Sequence, residues 1–181
     1  MAVVGVVGCA AGGLEHLSDA LVEPLLARAH TVTVTLTPTA HDWLSSEGQV
    51  DKLEDLTGLP VRSKPRLPSE TSSHPAPDVL VVAPATANTV AKLALGIADN
   101  QALTSLCENI AATPMIVFPR VNAAHARQPA WESNLSGLRS CGVRLVYGVE
   151  VWPLYEPRAA PPGRSLPWES ILAEVDDIVS S

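Results

Sequence analysis

Four valine-rich apolar runs constrain the fold of this chain more than any other feature. They span residues 2–8, 31–36, 78–83 and 115–118. Three of the runs lack the apolar–polar alternation of a strand with one exposed face, and continuous runs of this kind are typical of parallel strands buried on both faces. A fifth run, residues 143–147, fits a later strand.

Helical patterns alternate with these runs. The spacing of apolar residues predicts helices over residues 14–29, 87–96, 99–112, 129–141 and 168–179, and we expect Pro24 to bend the first of them. Strands that alternate with helices predict an α/β fold with right-handed crossovers. We therefore expect a Rossmann-like, doubly wound parallel sheet in a three-layer α/β/α sandwich.

The length of 181 residues fits one domain. We expect a core over residues 1–148, a proline-rich loop or lid over 149–167 and a C-terminal helix over 168–181. Residues 60–77 are a second proline-rich stretch, which we expect to be a surface loop because proline disrupts helix interiors and central strands.

The composition disfavours several classes of function. A formal net charge of −7 disfavours binding to nucleic acid or to an anionic membrane surface. Charged residues make up only 17% of the chain, so we expect much of the surface to be hidden in the core or in contacts between subunits. The three cysteines have no C-x-x-C spacing, which favours neither disulfides nor a metal site. We expect a cytoplasmic homo-oligomer.

Small and hydroxyl-bearing residues follow the first two strands. Four small residues come after the first strand: Gly8, Cys9, Ala10 and Ala11. Such a loop lets backbone N–H groups approach a phosphate, although a tight strand–helix turn has the same composition. Thr37 and Thr39 follow the second strand, where a dinucleotide site usually has an acid. These hydroxyls favour a mononucleotide over NAD, and they also fit the cap of the next helix.

A third polar turn follows residues 78–83 and consists of Pro84, Ala85, Thr86, Ala87 and Asn88. The amide of Asn88 can donate and accept hydrogen bonds, which suits the polar edge of a flavin or a substrate carboxylate. Capping of the next helix explains Thr86 or Asn88 taken singly.

Three segments carry a family resemblance: Thr37-Pro-Thr-Ala, Pro84-Ala-Thr-Ala-Asn-Thr-Val-Ala-Lys and Gly96-Ile-Ala-Asp-Asn. They resemble the homo-oligomeric flavin-containing cysteine decarboxylases, which include phosphopantothenoylcysteine decarboxylase and the lantibiotic peptidyl-cysteine decarboxylases. The resemblance covers residues 2–148. It implies FMN in a Rossmann-like fold, assembly into trimers or dodecamers, and lyase chemistry in which FMN oxidises a cysteine before carbon dioxide leaves.

The resemblance also implies which residues face the cofactor. The residues implied at the FMN phosphate and pocket are Gly8, Cys9, Ala10, Ala11, Thr37, Thr39, Pro84, Ala85 and Thr86. Asn88 is implied at the reactive flavin edge, and Asp99, Asn100 and Thr104 are implied to line or support the pocket.

The chain departs from the family pattern in two places that bear on catalysis. The family has a histidine about eight residues before the aspartate that starts the third strand, whereas His74 lies four residues before Asp78. The family's substrate motif, Pro-x-Met-Asn-x-x-Met-Trp, reads Pro-Arg-Val-Asn-Ala-Ala-His-Ala from residue 119 here. Asn122 is retained, and His125 is a second acid–base candidate. The catalytic candidates are therefore Asn88, Asn122, His74 and His125.

Two functions remain open at this point. The first is an FMN-dependent decarboxylase-like enzyme that acts on a carboxylate-bearing small molecule or peptide, with a cysteine-ended one as a candidate. The alternative is an FMN-binding carrier, sensor or regulatory partner without decarboxylase activity. A different nucleotide-binding enzyme, such as an NAD-dependent one, is a third hypothesis.

Overall fold

A computed structural model covering residues 1–181 places five parallel strands at the centre of the protein. Their spatial order is β2-β1-β3-β4-β5, so the chain winds outward from β1 in both directions. This arrangement confirms the predicted doubly wound sheet. The strands are β1 (Val3–Gly8), β2 (Thr31–Leu36), β3 (Val79–Ala85), β4 (Met115–Pro119) and β5 (Arg144–Leu145).

The central strands are buried on both faces, as their valine runs predicted. β1 is paired with β2 on one side and with β3 on the other, and every residue of β3 is buried. β3 continues through Pro84 and Ala85, which the sequence analysis placed in the following turn. The ladder to β4 shifts register between Val82 and Ala85. Because proline cannot donate to the ladder, this irregularity lets the strand continue past Pro84.

Helices cover both faces of the sheet. They are α1 (Glu23–Ala27), α2 (Pro38–Ser46), α3 (Gln49–Thr57), α4 (Ala87–Ala94), α5 (Gln101–Asn109), α6 (Ala123–Ala126), α7 (Trp131–Ser140) and α8 (Trp168–Ser180). One apolar core joins α1, α2, α3 and α8 to the sheet, and the other joins α4, α5 and α7 to its opposite face. None of these helices combines the length and the apolar character needed to cross a membrane.

The helix between β1 and β2 differs from the prediction. A 3-10 turn (Leu14–His16) and a π segment (Ser18–Val22) precede the short helix α1. Pro24 is the second residue of α1, which follows the π segment without a break. The i→i+5 pairing of the π segment therefore lies directly before the position where proline lacks an N–H.

The sequence predicted no bounds for helices α2, α3 and α6, although the capping interpretation of Thr37 and Thr39 assumed a helix after β2. Pro38 begins α2 directly after Thr37, and α3 lies between Gly48 and Gly58, which both have left-handed backbone. Proline at the first helical position and glycine beyond the last are recognised helix boundaries. These signals were in the sequence, but the helices between them are short and mostly polar.

The proline-rich segment 149–167 contains no helix or strand and folds back over the carboxyl ends of the strands. Its Trp152 ring lies edge-on to Phe118, with 5.6 Å between ring centroids. Leu166 is buried against Gly13, whose φ of +99° is accessible to glycine. A Cβ atom at Gly13 would lie 2.5 Å from Leu166 Cγ. The segment is thus packed into the protein beside the strand ends; its opening and closing as a lid stays a prediction.

This packing predicts that Leu166→Ala destabilises the protein. Truncation of a buried leucine typically lowers the free energy of unfolding by about 2–5 kcal/mol. The matched control is Leu67→Ala, because Leu67 is 62% exposed. Urea unfolding followed by circular dichroism measures both changes, and equal stability of the two variants would contradict the packing of the segment.

Candidate functional site

Three main-chain hydrogen bonds hold the loops after β1, β2, β3 and β4 side by side. Beyond the strand ends, the N–H of Thr37 donates to the carbonyl of Gly8 at 3.0 Å, and the N–H of Cys9 donates to the carbonyl of Pro84 at 3.1 Å. The N–H of Arg120 donates to the carbonyl of Ala85 at 2.8 Å. The polar residues that follow the four strands therefore share one edge, where ligands bind in open α/β sheets.

The loop after β1 is built from small residues for steric reasons. A Cβ atom on Gly8 would lie 2.8 Å from Leu36 Cδ2 and 2.9 Å from Leu14 Cδ1. The N–H of Gly13 donates to the Glu15 carboxylate at 2.8 Å. The N–H groups of Ala10 and Gly12 donate to no protein atom, so they are available to a ligand.

The threonine hydroxyls after β2 are free of the protein. Thr37 stands at the N-cap of α2, yet its side chain accepts no capping hydrogen bond. Neither it nor Thr39 makes a side-chain hydrogen bond to another residue. Because Thr37 does not cap the helix that follows it, the capping interpretation does not explain its hydroxyl.

In the turn after β3, some side chains are bonded or packed within the protein and one has no partner. Thr86 accepts a hydrogen bond from the N–H of Thr89 at 3.2 Å and so caps α4. Asn88 is exposed, and its side chain has no hydrogen-bond partner in the protein. Pro84 and Ala85 are buried in the strand. Asn88 is thus the free polar side chain of this turn.

Cys9 is a packed residue rather than an exposed nucleophile. Its Sγ is buried and donates to Thr89 Oγ1 at 3.3 Å. Burial raises the pKa of the Cys9 thiol, and the hydrogen bonds to Thr89 and Thr86 offset only part of that rise. The thiol therefore stays protonated at neutral pH. Its hydrogen bond to Thr89 ties the loop after β1 to α4.

Asp99, Asn100 and Thr104 are engaged with neighbours along the chain. Asp99 is paired with Lys92, and hydrogen bonding from that lysine lowers the pKa of the Asp99 carboxyl. Asn100 Oδ1 accepts from the N–H of Leu103 at 3.0 Å and caps α5, while Thr104 Oγ1 donates to the Asn100 carbonyl at 3.0 Å. These contacts fix the start of α5, and a role in a pocket stays a prediction.

The two candidate histidines lie in different places. His74 Nε2 is 2.7 Å from the carbonyl oxygen of Pro60, and burial lowers the pKa of this imidazole. His74 lines a cavity of about 360 Å³ with Thr33 and Thr35, under the proline-rich loop 60–77. Neither His125 nor the two candidate asparagines line that cavity. Within one chain, this cavity therefore brings His74 together with none of the other catalytic candidates.

Asn122 and His125 lie together after β4. Asn122 Oδ1 accepts from the N–H of His125 at 3.0 Å and caps the short helix α6, which leaves the Asn122 Nδ2 donor free. The His125 side chain is exposed. The proline-rich segment holds this turn in place because the N–H of Ala123 donates to the carbonyl of Tyr155 at 2.9 Å.

Sequence reasoning missed a further group at this edge. The guanidinium carbon of Arg164 lies 3.6 Å from the centroid of the Trp152 ring, and that of Arg120 lies 5.0 Å from it. Arg120 is the second residue of the altered substrate motif that begins at Pro119. Arg164 belongs to the proline-rich segment, and no spacing in the sequence joins it to β4.

Comparison with known proteins identifies the family. The family model described as Flavoprotein matches residues 6–180. The chain belongs to the flavoprotein family. This membership and the observed sheet confirm the predicted family and its Rossmann-like fold.

Two curated relatives of this flavoprotein are longer than the chain. The coenzyme A biosynthesis bifunctional protein CoaBC of Bacillus subtilis (strain 168) is 32% identical over 138 residues, which are 74% of this chain and 33% of the relative. A cysteine/cysteine sulfinic acid decarboxylase from an unknown prokaryotic organism is 34% identical over 102 residues, which are 56% of this chain and 25% of the relative. The chain thus spans only a quarter to a third of these relatives.

Solved structures share the fold of this flavoprotein across its whole length. The FMN-dependent cysteine decarboxylase TvaF of thioviridamide biosynthesis has a TM-score of 0.71 and 23% identity, and the match covers 100% of this chain and 99% of that one. A PPC decarboxylase variant complexed with pantothenoylaminoethenethiol has a TM-score of 0.72 and 20% identity, covering 99% and 98% of the two chains. At these identities the structural likeness shows the fold alone.

Proposed function

We propose that this flavoprotein binds FMN at the edge formed by the loops after β1, β2 and β3. The observation that carries the proposal is the set of unpartnered polar groups on adjoining loops. These are the N–H groups of Ala10 and Gly12, the hydroxyls of Thr37 and Thr39, and the amide of Asn88. Named relatives of the same fold are FMN-dependent.

The chemistry of these groups fits FMN. Backbone N–H groups and hydroxyls are donors that suit a phosphate, and the β2 end lacks the acid that would repel one. Asn88 can pair with the donors and acceptors of the flavin's polar edge. When bound, FMN supplies a two-electron acceptor, and the protein's part is to orient the substrate against it and to exclude competing reactions.

We propose that the reaction is the decarboxylation of a carboxylate-bearing small molecule or peptide, with a cysteine-ended one as the candidate to test. Two named relatives support this class, a cysteine/cysteine sulfinic acid decarboxylase and a bifunctional protein of coenzyme A biosynthesis. In this chain, Asn122 would donate its free Nδ2 to the substrate carboxylate. The exposed imidazole of His125 would move a proton beside it.

Two observations favour the alternative of an FMN-binding protein without decarboxylase activity. His74 lines a cavity that Asn122 does not line, and the methionines and tryptophan of the family's substrate motif are absent. A carrier, sensor or regulatory partner needs the flavin loops but not a substrate site. The two functions differ in whether carbon dioxide is released, so one assay separates them.

We further propose that the protein is a cytoplasmic homo-oligomer, with a trimer or a dodecamer as the expected state. Leu95 is 68% exposed and Ile97 is 44% exposed, side by side after α4. Burial of these side chains between subunits would remove apolar surface from water. A related FMN-dependent Ubix-like decarboxylase from Escherichia coli is dodecameric.

The FMN proposal predicts that the double variant Thr37→Val/Thr39→Val weakens FMN binding. A hydrogen bond to a charged group contributes about 1.5–3 kcal/mol, so loss of one bond raises Kd at least about tenfold. Titration with FMN, followed by quenching of flavin fluorescence, measures the Kd. Thr71→Val, at an exposed threonine of the loop 60–77, is the matched control. Equal Kd values for the double variant and the control would contradict the phosphate site.

The reaction proposal predicts carbon dioxide release from a peptide that ends in cysteine when the protein is loaded with FMN. Asn122→Asp keeps the oxygen that caps α6 but replaces the amide donor by a carboxylate that repels the substrate's own. We expect kcat/KM to fall at least about tenfold, since one hydrogen bond to a charged group is lost. The Kd for FMN should not change.

A peptide that ends in serine is the control substrate for this assay. His125→Asn and His74→Asn test the two imidazoles separately, and we expect the larger loss of kcat from His125→Asn. Absence of carbon dioxide from the FMN-loaded wild-type protein with the cysteine-ended peptide would contradict its cysteine decarboxylase activity and leave the FMN-binding alternative.

A further inference from the structure

Two arginines converge on one buried tryptophan at the carboxyl edge of the sheet. Trp152 is 3% exposed and packs against Phe118. The guanidinium carbon of Arg164 is 3.6 Å from its ring centroid, and that of Arg120 is 5.0 Å away. Arg164 is also 4.7 Å from the ring centroid of Tyr155. Aromatic rings thus hold the guanidinium groups of Arg120 and Arg164 in place, and the two side chains do not extend into solvent.

No carboxylate is in ion-pair contact with Arg120 or Arg164. Glu15 is close enough for its charge to act on Arg120, but its carboxylate accepts a hydrogen bond from the N–H of Gly13. Burial, followed by the charge of Arg164, lowers the pKa of the Arg120 guanidinium. Two like charges so placed cost free energy unless an anion joins them.

Two buried donors beside this pair also lack an acceptor. Arg120 Nε and Trp152 Nε1 are each fully covered and form no hydrogen bond with the protein. Buried N–H groups are nearly always paired, so an unpaired one indicates a missing acceptor. An oxyanion supplies several lone pairs and a negative charge, which is what unpaired N–H donors and a pair of guanidinium groups lack.

The position of Arg120 places this group next to the proposed flavin site. Arg120 Nη2 lies 3.7 Å from the point that a Cβ atom on Gly12 would occupy. The arginine therefore reaches from the end of β4 to the loop after β1. Arg164 approaches from the proline-rich segment, where its Nη2 donates to the carbonyl of Pro153 at 2.9 Å.

We propose that Arg120 and Arg164, on the ring of Trp152, form an oxyanion-binding site that takes a carboxylate or phosphate group of the substrate. The site itself follows from the geometry of this chain. Its assignment to the substrate, rather than to another ligand, rests on the proposed function. The site therefore predicts that the substrate carries an anionic group. This group would lie beside the flavin loops.

The test is calorimetric titration of the FMN-saturated protein at low ionic strength with inorganic phosphate and, separately, with succinate. We expect the wild-type protein to bind at least one of the two. Arg164→Gln should weaken that binding at least about tenfold, since one charge-assisted hydrogen bond is lost. The tighter of the two probes shows whether the natural group is a phosphate or a carboxylate.

The matched control is Arg158→Gln. Arg158 lies in the same segment, is exposed and makes no ion pair or side-chain hydrogen bond. This variant should bind both probes as the wild-type protein does. Arg164→Lys keeps the charge but not the planar donors, so it should bind with intermediate affinity. Such binding would show that the loss in Arg164→Gln does not come from misfolding.

Three outcomes would overturn the proposal. The first is no binding of either probe to the wild-type protein, and the second is equal affinity in Arg164→Gln and Arg158→Gln. The third is that phosphate competes with FMN and that Arg164→Gln raises the Kd for FMN tenfold. Arg120 and Arg164 would then hold the phosphate of the cofactor. If FMN fails to bind but phosphate binding to the FMN-free protein depends on Arg164, the proposed function is wrong and the oxyanion site stands.

Discussion

The main-chain ladder between β1 and its two neighbours is the constraint on which the rest of the structure depends. It continues past the strand ends, where the N–H of Cys9 donates to the carbonyl of Pro84 and the N–H of Thr37 donates to that of Gly8. These bonds leave the side chains of the loops free while their backbones are fixed. Free polar groups on a rigid edge are what a ligand site requires, because little ordering is needed when the ligand binds.

Much of this framework could be predicted from the sequence because it depends on local patterns. Buried parallel strands show as valine runs, and the loop residues show as small or hydroxyl-bearing groups at the strand ends. The prediction was wrong for Pro84 and Ala85, which continue β3, because the irregular pairing that accommodates the proline depends on β4. The role of Thr37 could not be predicted either, since whether its hydroxyl caps α2 depends on the folded conformation of the side chain.

The carboxyl edge beside β4 could not be predicted, because it is assembled by contacts between distant residues. Arg120 and Arg164 are far apart in the chain and meet on Trp152. The contact depends on the segment 149–167 folding back, which is secured by Leu166 over Gly13 and by the bond from Ala123 to Tyr155. A proline-rich segment has no periodicity from which such a path could be derived. Its path brings Arg164 onto the same ring as Arg120 of the altered substrate motif, which places two cations at this edge of the flavoprotein.

FMN binding at the edge after β1, β2 and β3 is what the visible absorption spectrum of the purified protein tests, with mass spectrometry of the small molecule that heat releases from it. We expect a flavin spectrum and the mass of FMN, either from the protein as purified or after incubation with FMN and removal of the unbound excess by gel filtration. A colourless protein that retains no added FMN would contradict FMN binding at this edge.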